Sequence, residues 1–144
     1  MSIIYKHKNS SCLKCVEYEK NCIKYENVLL FSKIPNYQNI VYLNVNFNKL
    51  TSLPELPTSL KKLDCYFNRL NRLPKLLFYI NRINCQSNKL TSLPKLPNLL
   101  KILDCSCNKL IILPELPNNL EYIDCENNNL IKTYKHKYFQ KICL

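Results

Sequence analysis

His7, Cys12, Cys15 and Cys22 read H-x4-C-x2-C-x6-C, and the C-x2-C hook is a spacing that zinc ligands use. A structural zinc there would staple a small N-terminal cap. Two other readings stay open: a disulfide, or ordinary packed cysteines, since Cys22 also fits a core slot and Leu13, Val16 and Ile23 surround the motif. Ordinary cysteines are the expectation, with no metal or other cofactor required. Asp64, Asp104 and Asp124 resemble a carboxylate cluster, but acid–base work needs a pocket that shifts their pKa values. His7 and His136 stand at opposite ends of the chain. The chain contains no glycine, which removes the G-x-G-x-x-G turn, the P-loop and the G-x-S-x-G elbow together. No catalytic residue is expected.

What positions these residues is a repeat of 20 residues. Leu60, Leu63, Cys65, Asn68, Leu70, Leu73, Pro74 and Leu76 are followed 20 residues later by Ile80, Ile83, Cys85, Asn88, Leu90, Leu93, Pro94 and Leu96. Leu100, Leu103, Cys105, Asn108, Leu110, Leu113, Pro114 and Leu116 continue the series. Ile40, Leu43, Val45 and Asn48 open it, and Leu120, Ile123, Cys125 and Asn128 close it. The pattern L-x-x-L-x-C-x-x-N-x-L-x-x-L-P-x-L-P is a leucine-rich repeat with Cys or Val in one leucine slot. It resembles the shortest repeat class, known from bacterial effector proteins whose repeats carry the L-P-x-L-P run. It is also similar to leucine-rich-repeat proteins of giant DNA viruses of amoebae, whose Asn/Lys/Ile/Tyr-rich composition it shares. The resemblance spans roughly residues 22–130. It implies an architecture shared by many functions, with binding on a concave sheet.

Each slot has a physical reading. Period-2 residues such as Leu63 and Cys65 point inward from a short strand, and stacking such strands at ~4.8 Å gives a parallel sheet. The small Cys65, Cys85, Cys105 and Cys125 side chains suit the interior of a narrow coil. Asn48, Asn68, Asn88, Asn108 and Asn128 fall where the chain turns off the strand, and an amide there would satisfy backbone groups of its own and the neighbouring coil. The Leu-Pro-x-Leu-Pro run cannot be helix interior, because proline lacks an N–H and drives its predecessor to extended geometry. The fold class is therefore an α/β-type solenoid, mainly parallel β, with extended or polyproline-like convex segments and little helix outside the caps.

The chain is expected to form an N-terminal cap at 1–21, a solenoid at 22–130 that becomes regular from about 40, and a basic C-terminal cap or tail at 131–144. Ile131, Tyr134, Tyr138 and Ile142 fall at helical spacing in that last segment. Met1–Cys12 carries Lys6, His7 and Lys8 and lacks the apolar core of an export signal. Nor is any apolar run near the ~20 residues of a membrane helix. An intracellular, cytoplasmic protein with reduced thiols is the expectation, in a host cytoplasm if the chain is viral, with no membrane contact.

Three outward columns are expected on the concave face: Tyr42, Lys62, Arg82, Ile102, Tyr122; then Asn44, Asp64, Asn84, Asp104, Asp124; then Asn46, Tyr66, Gln86, Ser106, Glu126. Tyr and Arg are types enriched at protein–protein hot spots, so an unidentified protein partner is the leading expectation. Merely solvated strand positions are the plain alternative. Lys49, Arg69, Lys89 and Lys109 form a basic ladder that would attract nucleic acid or another polyanion. Of the net charge of +11, residues 41–130 hold only 11 basic against 7 acidic groups, and aromatic platforms alternating with the ladder are not evident. Polyanion binding is thus the second reading. A third is self-association through Phe78, Tyr79, Ile111 and Ile112.

Overall fold

A computed structural model describes Cys22–Lys24 and residues 36–131. Its six strands are β1 (Cys22–Lys24), β2 (Tyr42–Asn44), β3 (Lys62–Asp64), β4 (Arg82–Asn84), β5 (Ile102–Asp104) and β6 (Tyr122–Asp124). They pair in chain order, all parallel. The register sets Leu43 beside Leu63, then Ile83, Leu103 and Ile123, so equal positions of the repeat stand side by side. Each strand is three residues long because only its central residue points inward before the coil bends. The hydrogen-bond ladder still runs on past the strand: Cys65 N–H donates to Asn84 O at 2.8 Å, and Cys85 N–H to Asp104 O at 2.8 Å.

The residue two places beyond Val45 and beyond each core cysteine has a left-handed backbone. Phe47, Phe67, Ser87, Cys107 and Asn127 have φ between 52° and 55°. For residues other than glycine this conformation costs roughly 1–2 kcal/mol, and the glycine-free chain accepts that cost once per coil. The turn is held from outside: the N–H of Phe47, Phe67, Ser87 and Cys107 each reaches a carbonyl of the next coil at 2.8–3.1 Å.

Beyond the turn, residues 51–57, 71–77, 91–97 and 111–117 form neither helix nor strand, as the prolines require. Each segment ends in a turn in which Leu60, Ile80, Leu100 or Leu120 donates its N–H to the carbonyl of Pro57, Leu77, Pro97 or Pro117. Leu77 replaces a proline without loss, because the slot supplies a carbonyl and no N–H. A short 3-10 helix, Tyr37–Asn39, precedes β2. No α-helix occurs among the described residues. The expected caps at 1–21 and 131–144 fall outside the described residues except for Ile131, as do residues 25–35 of the expected solenoid.

One core runs the length of the arc. Leu43, Leu63, Ile83 and Leu103 are wholly buried, as are Cys65, Cys85 and Cys105. Cys65, Cys85, Cys105, Cys107 and Cys125 are free thiols. Burial pushes the Cys65, Cys85 and Cys105 thiols well above the usual thiol range, and neighbouring Asp64 or Asp104 adds to it. The neutral thiol is thus the form that the fold favours. Its contribution to stability is fully present below the ordinary thiol pKa of 9.0 and is lost progressively as pH rises above it. Thermal midpoints are expected to fall above about pH 9, with a shallower fall for Cys105→Val. In the native state a thiol reagent should modify exposed Cys107 at once and leave Cys65, Cys85 and Cys105 untouched. Equal modification of all four would contradict the burial.

Candidate functional site

The concave sheet presents the three expected columns, but not equally. In the first, Tyr122 and Arg82 are exposed and Tyr42, Lys62 and Ile102 half-buried, with Lys62 Nζ 5.8 Å above the Tyr42 ring. The second column is more covered: Asn44 and Asp64 are buried, and Asn84, Asp104 and Asp124 half-buried. The physical reason is a backbone duty that alternation does not reveal. Where the chain leaves the strand, the N–H two residues on needs an acceptor. Asn44, Asn84, Asp104 and Asp124 supply it through Oδ1, accepting from Asn46, Gln86, Ser106 and Glu126 at 3.0–3.2 Å. Ser106, expected to face outward, is buried and donates its hydroxyl to Asp104 Oδ1 at 2.7 Å. These residues are therefore partly structural.

Asp64 breaks that rule. Tyr66 N–H donates instead to Asn46 Oδ1 of the preceding coil at 2.9 Å. This frees the Asp64 carboxylate for the face itself: Tyr42 Oη donates to its Oδ2, and the buried Oδ1 accepts no hydrogen bond among the described residues. Arg82 Nε lies 4.0 Å from that Oδ1. Asn44 Nδ2 donates in turn to Tyr42 Oη at 3.3 Å. Three coils thus contribute to one cross-strand polar cluster.

At the rim, where the strands pass into the left-handed turn, three aromatic rings meet. Phe47 and Phe67 stack at 5.2 Å between centroids with 18° between planes. Tyr66 stands edge-on to both, at 4.8 and 6.0 Å. Phe47 is 69% exposed and Phe67 52%. The basic ladder shares this flank: Lys49, Arg69, Lys89 and Lys109 follow two residues after the turn residue, all exposed. Two rings thus stand at one end of the ladder, whereas Ser87, Cys107 and Asn127 fill the same slot beyond them, so aromatic platforms do not alternate along it. Phe47 and Phe67 carry no hot-spot signature in the sequence; their recurrence before the ladder asparagine was the available signal.

No family model matches the chain, and no curated protein does. Solved structures do. A Shigella effector leucine-rich-repeat domain is 35% identical with a TM-score of 0.70, over 79% of this chain and 52% of its own. The chain is a leucine-rich-repeat protein. YopM, a leucine-rich effector protein from Yersinia pestis, is 33% identical with a TM-score of 0.58, over 65% of this chain and 33% of its own. YopM from Yersinia enterocolitica is 34% identical with a TM-score of 0.50, over 65% of this chain and 25% of its own. The leucine-rich-repeat chain thus spans about half the length of the first of these structures and a third or less of the other two. Its repeats resemble those of bacterial effectors.

In the asparagine ladder, Asn68, Asn88, Asn108 and Asn128 each bond their own coil and the one before. Asn48 bonds Val45 O at 2.9 Å. The self-association residues are separated: Phe78 and Tyr79 sit in the turn before β4, with rings 5.4 Å apart, whereas Ile111 and Ile112 follow β5. His7, Cys12, Cys15 and the Cys22 side chain lie outside the described residues. Among the described residues no group of three His, Cys, Asp or Glu side chains could hold a metal ion, and no helix is long and apolar enough to cross a membrane.

Proposed function

We propose that this leucine-rich-repeat protein is a non-catalytic module that binds a partner protein on its concave face. The observation that carries this reading is the Tyr42–Asp64–Arg82 cluster. Its buried Asp64 Oδ1 lacks a hydrogen-bond donor, a cost that would be recovered if a partner covering the exposed Arg82 guanidinium closed the 4.0 Å gap between them. Exposed Tyr122 and the Arg82 guanidinium flank it with the large, low-entropy contacts that dominate binding energy. Repeats of this kind in effector proteins support an intracellular, host-directed setting, and the free thiols suit a reducing compartment.

Crosslinking and affinity capture with wild type and with an Arg82/Tyr122 double alanine variant tests the face. The variant is expected to lose its specific partners at least tenfold while keeping its fold. Identical partners for both proteins would refute the proposal.

A further inference from the structure

The turn flank carries a second surface, independent of the concave cluster. The stretches 46–52, 66–72, 86–92 and 106–112 lie side by side in successive coils and contain Lys49, Arg69, Arg72, Lys89 and Lys109 with no acidic residue. Only in the last coil does this part of the repeat carry an acid, Glu126; the other six carboxylates of residues 41–130 lie elsewhere in the coil. Among the described residues, no carboxylate pairs with the four ladder cations. Their backbones are held in place, with Arg69, Lys89 and Lys109 N–H each bonded at 2.8 Å to the carbonyl of Leu50, Leu70 or Leu90.

The aromatic pair lies at one end of this acid-free strip. Phe47 and Phe67 stack nearly parallel because equal positions of adjacent coils repeat. The next place in that stack falls over Ser87, and the one after over Cys107, both small side chains with the same left-handed backbone. The open face of Phe67 therefore looks onto a low step beside Lys89. A planar ring lying on that step would continue the stack while a phosphate beside it met the ladder. Coils advance by ~4.8 Å, more than the ~3.4 Å axial rise per nucleotide of a fully stacked duplex strand, which favours a single strand with partly separated bases. Stacking platforms combined with a cationic track are how single strands are held without sequence preference.

We propose that this flank binds single-stranded nucleic acid, with bases continuing the Phe47–Phe67 stack over Ser87 and phosphates on Lys49, Arg69, Lys89 and Lys109. Phe is costly in a left-handed turn, and Asn127 occupies the same slot in the last coil at lower strain. Phe47→Asn with Phe67→Asn therefore removes the rings without weakening the turn, which separates binding from stability.

The test is fluorescence anisotropy of a labelled 12-nucleotide oligo(dA) and of an abasic strand of equal length, with the full chain over a salt series. Four phosphate contacts predict a log–log salt slope of roughly −2.8 for a single strand. The F47N/F67N variant should bind oligo(dA) roughly tenfold more weakly, at the level of the abasic strand, with its thermal midpoint unchanged or raised. The K49Q/R69Q/K89Q/K109Q variant should flatten the slope and weaken both strands, with an unchanged circular dichroism spectrum. Equal wild-type affinity for the two strands would overturn the stacking platform. Undiminished binding by the ladder variant would assign the charge to the basic ends instead. Tighter binding to phosphatidylserine vesicles than to oligo(dA) at equal salt would make the flank a membrane surface and overturn the proposal.

Discussion

Replacing Asn88 by alanine is expected to destabilise the arc by roughly 2–4 kcal/mol, lowering the thermal midpoint by about 10 °C. Asn88 Oδ1 accepts from Leu70 N–H at 2.9 Å, and its Nδ2 donates to Cys65 O at 2.9 Å and Cys85 O at 3.1 Å. The three consequences of removal are unequal. Cys65 O still receives Asn68 Nδ2, and Cys85 O still receives Asn108 Nδ2, so those carbonyls lose one of two amide donors. Leu70 N–H, on a wholly buried residue, loses the acceptor that the ladder gives it, and an orphaned buried donor costs about 1–3 kcal/mol. Asn88→Asp should be no better. It keeps the acceptor for Leu70 but turns a carboxylate oxygen toward three carbonyls, those of Cys65, Cys85 and Gln86. Asn128→Ala should cost less than Asn88→Ala, because Asn128 is only half-buried at the last described coil. Urea unfolding of the three variants checks the order; an unchanged midpoint for Asn88→Ala would remove the ladder from the account of stability.

The second large effect is expected from Leu103→Ala, at about 3–5 kcal/mol. Leu103 pairs in register with Ile83 on one side and Ile123 on the other, and it is wholly buried. Deleting its side chain removes apolar burial and leaves a cavity that the neighbouring coils cannot close. The hydrogen-bonded ladder fixes the distance between them. In a solenoid each coil contacts only its neighbours, so a central lesion also uncouples the two halves. Leu113, nearer the convex surface and slightly exposed, should tolerate the same change at lower cost. A broadened or two-step urea transition for Leu103→Ala, with a single sharp one for wild type, is the specific signature. A loss below about 1 kcal/mol would contradict the packing.

Neither prediction bears on who the partner is, but both explain why the candidate surfaces are rigid. The Asp64 cluster and the ring stack each use residues from adjacent coils, so their geometry depends on the coil spacing that Asn88 and Leu103 maintain. A change of either core residue should weaken both surfaces together. Phe67→Asn alone should spare the concave face.

The 20-residue period, the inward leucines, the core cysteines and the asparagine ladder were legible from the chain itself. Each is a local rule repeated several times, and repetition turns a weak single-position preference into an assignment. Parallel pairing follows as well, since equal positions must stack if every coil is to bury the same slots. The concave columns were legible only as positions. Asn44, Asn84, Asp104 and Asp124 look like ordinary outward residues in an alternating pattern, and their duty to the N–H two residues on depends on where the strand stops pairing. The release of Asp64 from that duty depends on Asn46 reaching across to Tyr66, a contact between coils with no sequence mark. Likewise Phe47 and Phe67 read as separate aromatics in different repeats. Only the left-handed turn turns both rings out to solvent, and only the register brings them to 5.2 Å. Sequence alone thus determined what is repeated and buried, because those properties are periodic along one chain. The tertiary structure decided which polar and aromatic groups meet, because those meetings lie across the coils, where side-chain reach and turn geometry rule.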